Sequence, residues 1–167
     1  MDEQMIKAQI CEMGRRMYQR NMVAANDGNI SVKIREGEYF CTPTGVSKGY
    51  MTPDYICRVD AAGNLLEANP GFRPSSEMKM HMRVYARRPD IGAVVHAHPP
   101  YATSFAVMGT PLDQPIISEA VVSLGTVPVP STGRHLPMNC RKPWKSIFRI
   151  MTRCCWSITV PLPMRRI

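Results

Sequence analysis

The chain has 167 residues, enough for one domain with a substantial core, and its 21 Lys and Arg against 13 Asp and Glu give a formal net charge of +8. That balance suggests a nucleic-acid partner until its distribution is considered: residues 1–130 hold 13 basic and 13 acidic side chains, residues 131–167 hold 8 basic and no acidic ones. Asp2 and Glu3 open a stretch without an apolar signal core, no run approaches the ~20 apolar residues of a membrane span, and the cysteines follow no zinc-ribbon or disulfide framework. The expectation is a cytoplasmic protein with reduced thiols and with neither nucleic acid nor membrane as partner.

In chain order, Ile6, Ile10, Met13 and Met17 form an apolar stripe that predicts a helix over Glu3 to Asn21. The turn cluster Asn26-Asp27-Gly28-Asn29 leads into the alternating Ile30, Val32 and Ile34, and Glu36-Gly37 turns that strand back into Tyr39 to Thr42. Thr42-Pro43-Thr44-Gly45 is a second polar turn, able to bind an anion through its amides and hydroxyls or simply to be solvated. Tyr55 to Val59 and Leu65 to Glu67 flank another hairpin. Ser75-Ser76-Glu77 precedes a helix with Met78, His81, Met82 and Tyr85 on one face; a serine should cap it, Glu77 suits its first turn, and His81 reads as a packed core histidine. Beyond it, Ala102 to Met108 reads as a short helix, and Pro115 to Ser118 and Thr126 to Val129 as strands. Hairpins without a regular βαβ rhythm give an α/β fold with a central, mostly antiparallel sheet flanked by helices. With no Gly-x-Gly-x-x-Gly and no P-loop, a nucleotide fold has no support.

The chemistry concentrates in Gly92 to Ser104. A strand over Ala93 to His98 points His96 and His98 to the same side, ahead of Pro99 and Pro100. Two neutral imidazoles so placed can share a divalent ion; the competing possibility is two ordinary histidines at a strand end.

Taken together, Gly-Asn-Ile-Ser at 28–31, Thr-Pro-Thr-Gly at 42–45, Pro-Ser-Ser-Glu at 74–77 and Val-Val-His-Ala-His-Pro-Pro-Tyr-Ala-Thr at 94–103 resemble the class II aldolase/adducin family, most closely its L-fuculose-1-phosphate aldolase type. The resemblance implies an α/β/α fold, a zinc-dependent (or other divalent-metal) homotetramer, and reversible cleavage of a ketose phosphate into dihydroxyacetone phosphate and an aldehyde. It makes His96 and His98 metal ligands and Glu77 the catalytic acid/base that also reaches the metal. Gly28, Asn29, Thr44, Gly45, Ser75 and Ser76 fall on positions that bind a sugar phosphate. Glu77 favours an aldolase over the pentulose-phosphate 4-epimerases of the same fold, which usually carry Asp there. The resemblance also admits a 3-oxo-acid decarboxylase and a non-catalytic adducin-like binding module.

The same resemblance calls for a Tyr-Gly-Thr segment after Val129 and, later, a His-Gly pair that supplies a third histidine ligand. Residues 131–167 show neither, and their only histidine is His135. Read two nucleotides later, codons for Ile150 to Val160 can spell a segment containing His-His-Gly; the TG that opens the codons of Cys154, Cys155 and Trp156 forces Leu, Val or Met at three shifted positions. The expected organisation is therefore a class II aldolase/adducin-like portion at 1–130 and an aberrant, out-of-frame basic tail at 131–167, with activity impaired. The competing reading is a genuine basic tail for an anionic partner.

Overall fold

The computed structural model describes residues 2–115 and 118–123. Helix α1, Glu3–Gln19, begins where the Asp2 side chain accepts from the backbone N–H of Gln4 at 3.0 Å. It stops at Arg20 because Asn21 adopts a left-handed conformation with φ 54°, its N–H donating to Tyr18 O while Met22 N–H donates to Met17 O. The helix thus ends two residues before the expected Asn21. Its buried seam is Ile6, Ile10, Gly14 and Met17, with Met13 at the margin of the core.

Five strands follow the predicted hairpins: β1 Asn29–Arg35, β2 Glu38–Cys41, β3 Cys57–Asp60, β4 Leu65–Glu67 and β5 Ala93–His96. They form one sheet in the order β4-β3-β2-β1-β5, antiparallel at every junction. Asp60 builds the β3–β4 turn by accepting from the N–H groups of Ala62 and Asn64, both at 2.8 Å.

The pleat sorts side chains into two cores. Ile30, Phe40 and Val95 face α1 with Ile6, Ile10 and Met17; Cys41, Cys57, Val59 and Val94 face helix α2, Met78–Arg87, with Met78, Met82 and Tyr85. The result is the expected α/β layering, helices on both faces of an antiparallel sheet. It brings the start of β1, the end of β2, the end of β5 and the start of α2 to the same end of the sheet, through the registers Asn29↔His96 and Ser31↔Cys41.

The strand expected over Tyr55 to Val59 is β3, Cys57–Asp60, because Pro53–Tyr55 form a turn of 3-10 helix, and three more expectations need correction. β5 ends at His96 and not His98, because His98 N–H bonds to Met22 O at 2.9 Å instead of continuing the ladder. Helix α3 occupies Pro100–Val107, two residues earlier than expected, since proline fits a first helical turn that needs no N–H from it. Ser118, expected in a strand, opens α4, Ser118–Ser123. Residues 124–167, including the strand expected at Thr126 to Val129 and the basic tail, lie outside the described residues. Among the described residues no helix is long and apolar enough to cross a membrane.

Candidate active site

Asn29 and His96 face each other across the β1–β5 ladder, on the sheet face that receives α2. Glu77 holds the N-cap position of α2 and reaches over both. Its Oε2 lies 2.9 Å from His96 Nδ1 and also accepts from Asn29 Nδ2. The 3.4 Å between Asn29 Nδ2 and His96 Nδ1 is the spacing of two donors on one acceptor. A carboxylate only accepts, so His96 presents its Nδ1–H to Glu77 and turns Nε2 to the opposite side of the ring. The His98 ring lies beside it, centroid to centroid 4.6 Å.

The electrostatics follow from these contacts. The hydrogen bond from His96 holds the Glu77 carboxyl down at about 2, despite partial burial. Burial pushes the His98 imidazole below its ordinary range and keeps it neutral. Deeper in the same face, His81 is fully buried with Nδ1 2.7 Å from Ser31 Oγ, while Tyr85 donates to Ser31 O at 3.0 Å. Burial lowers the His81 pKa to about 3, and the expected packed core histidine is what the structure contains.

The serines do not cap α2. Ser75 Oγ accepts from the N–H of Glu77 at 3.3 Å, one step ahead of the helix, so the cap position falls to Glu77 itself and not to its first turn. The Ser75 turn is tied to the Thr44 turn by the Pro43↔Pro74 bridge and by Thr44 N–H donating to Arg73 O at 2.9 Å. Thr44, Gly45 and Ser76 are exposed at the rim, Ser75 half-buried. Gly28 has φ +72°, and a Cβ there would meet Val23 Cγ1 at 2.5 Å and His96 O at 2.8 Å, so the turn can approach the histidine strand this closely only as glycine.

Glu77, Asn29 and His96 thus form one hydrogen-bonded group with the His98 ring against His96, and the Thr44–Gly45 and Ser75–Ser76 turns are joined to each other. Asn29, expected to serve substrate, has its amide nitrogen committed to Glu77. Lys48 went unnoticed in the sequence, where one lysine in a polar loop carries no signal. Two imidazoles and a carboxylate are fitting donor types for a divalent ion. Among the described residues, however, no three His, Cys, Asp or Glu side chains are gathered closely enough to enclose one.

Residues 8–139 match the class II aldolase and adducin N-terminal domain family. The chain belongs to that family. It is 36% identical over 104 residues to the L-fuculose phosphate aldolase of Methanococcus vannielii, covering 62% of this chain and 53% of that one. It is 39% identical over 103 residues to the methylthioribulose-1-phosphate dehydratase of Pseudomonas syringae pv. tomato, covering 62% and 50%. The crystal structure of L-fuculose-1-phosphate aldolase from Thermus thermophilus superposes with a TM-score of 0.63 at 29% identity, over 76% of this chain and 62% of that one. The chain spans about half the length of the two curated relatives.

Proposed function

We propose that this chain represents a divalent-metal-dependent sugar-phosphate lyase that cleaves a ketose 1-phosphate to dihydroxyacetone phosphate and an aldehyde. The observation that carries this reading is the Glu77–His96 hydrogen bond at 2.9 Å beside the His98 ring, under a rim of polar turns. His96 and His98, with the Glu77 carboxylate alongside, are the residues that would hold the metal. A divalent ion there would supply Lewis acidity to the substrate carbonyl. Glu77, ionised throughout the physiological range, moves the proton at the reacting carbon or hydroxyl. Gly28, Thr44, Gly45, Ser75 and Ser76 bind the phosphate at the rim and so fix the reacting carbons over Glu77. Asn29 orients the carboxylate.

A dehydratase acting on a related ketose 1-phosphate is the second reading, favoured by the 39% identity to methylthioribulose-1-phosphate dehydratase. Both reactions leave negative charge on an enolate beside the carbonyl, but carbon–carbon cleavage begins with loss of a hydroxyl proton and dehydration with loss of the C–H proton next to the carbonyl. We also assign residues 1–130 to the catalytic portion, residues 131–167 to an out-of-frame tail, and a cytoplasmic tetramer to the intact ancestor. The third histidine would then be missing, and loss of one ligand from such a site weakens metal binding strongly.

The test compares zinc content of the purified chain with that of a His96→Ala/His98→Ala double variant, alongside product analysis from a ketose 1-phosphate. The expected result is zinc retained only by the parent, with slow, zinc-dependent release of dihydroxyacetone phosphate. Equal zinc in both proteins refutes the site, and loss of water from the substrate without carbon–carbon cleavage selects the dehydratase.

A further inference from the structure

The loop after β2 buries a lysine that the reaction above does not use. Lys48 is 1% exposed, as completely enclosed as the core phenylalanine Phe40. An ammonium is rarely buried to that extent unless its donors are satisfied. Here Nζ donates to the carbonyl of Val46 at 2.7 Å and to that of Asn26 at 3.1 Å. The first belongs to the turn that carries Thr44 and Gly45, the second to the turn that carries Gly28 and Asn29. The two turns are far apart in sequence, and this single side chain joins them.

The base of the lysine is itself clamped. Gly14 of α1 lies so close to it that a Cβ would meet Lys48 O at 2.7 Å, and a Cβ at Gly49 would meet the Tyr18 ring at 2.6 Å. The ammonium is therefore held at a fixed depth behind both turns. Its partners there are neutral carbonyls, so its charge is not cancelled by them. It is felt by Asp27 and Glu77, whose negative charges oppose the effect of burial on Lys48.

We propose that Lys48 is a positioning residue that staples the Asn26–Asn29 turn to the Thr44–Val46 turn, setting the joint geometry with which they hold a phosphate monoester and placing a fixed positive charge behind it. The assignment rests on the proposed sugar-phosphate reading of the site. In a trans peptide the carbonyl and the N–H point opposite ways, so pulling the Asn26 and Val46 carbonyls toward the ammonium turns the N–H groups of Asp27 and Ser47 away from it, to the side on which an anion would sit. Buried charge in a low-dielectric wall also attracts the dianion more than an exposed lysine would.

The test uses the full chain loaded with zinc and measures binding of dihydroxyacetone phosphate, dihydroxyacetone and inorganic phosphate by calorimetry, for the parent and for Lys48→Met. The expected result is at least a tenfold loss of affinity for both phosphates with dihydroxyacetone binding and zinc content unchanged. Equal weakening of dihydroxyacetone and its phosphate would mark a merely structural lysine and overturn the assignment. Unchanged phosphate binding overturns it too, while leaving the lyase reading intact. Failure of the parent to bind either phosphate overturns both. Should Lys48→Met not fold, amide hydrogen exchange on the parent decides: inorganic phosphate is expected to protect residues 26–29 and 44–46 together, and protection of one turn alone overturns the staple.

Discussion

Single residues on the α2 face of the sheet carry opposite electrostatic tasks. Glu77 is stabilised as a carboxylate by two donors, whereas His81, a few residues along the same helix, is held neutral by burial. The His81 pKa falls from 6.5 in the unfolded chain to about 3 in the fold, so the folded state binds fewer protons between those values. Its contribution to stability is fully present above pH 6.5 and is lost as pH falls toward 3. Glu77, lowered from 4.5 to about 2, adds to the same acid limb only below pH 4.5. Chemical denaturation at a series of pH values is therefore expected to show stability declining from pH 6.5 downward. His81→Gln, which has no proton to gain, should flatten the slope between pH 6 and 5; an unchanged slope there would assign the acid sensitivity to other groups.

Among the elements, α1 illustrates how packing overrides propensity. Glycine inside a helix costs about 1 kcal/mol relative to alanine, so Gly14→Ala on an open face would stabilise by that amount. At this position the added Cβ would lie 2.7 Å from both Lys48 O and Met51 Cε. The methionine end can move; the carbonyl belongs to a loop that carries the Lys48 staple and cannot move freely. Overpacking of this kind typically costs ~1–3 kcal/mol, which exceeds the propensity gain. Gly14→Ala is expected to lower the denaturation midpoint, and Gly14→Val to lower it further. A raised midpoint for Gly14→Ala would show that the loop yields.

At the scale of the whole molecule, the described sheet and its two helical layers account for the part of the chain in which acid and base balance. Tyr101, Val107 and Met108 on and after α3, and Val122 in α4, stand more than half exposed at 86%, 82%, 65% and 78%. The nucleotide sequence over codons 125 to 135 is expected to reveal an insertion or deletion whose correction restores a His-His-Gly reading downstream. A gene in which no such change restores that frame would make residues 131–167 a genuine basic tail. With the frame restored, zinc affinity and turnover are expected to rise together.

Much of this protein was legible before any coordinates. Periodicity located α1, both hairpins and the buried face of α2, because a stripe of Ile and Met or an alternation of Ile, Val and Lys is a local consequence of which side meets water. Four short motifs, at 28–31, 42–45, 74–77 and 94–103, carried the resemblance to the family that residues 8–139 match. What tertiary structure alone decided was which of these residues meet. The β1–β5 register set Asn29 opposite His96, the entry of α2 laid Glu77 across both, and β5 stopped short of His98 when the latter bonded to Met22. Lys48 was invisible in the sequence because its meaning lies in two carbonyls and a helix glycine distant along the chain. Local pattern records exposure, which each segment expresses by itself; convergence at a site depends on the register and packing of segments far apart in sequence, and only the folded chain fixes those.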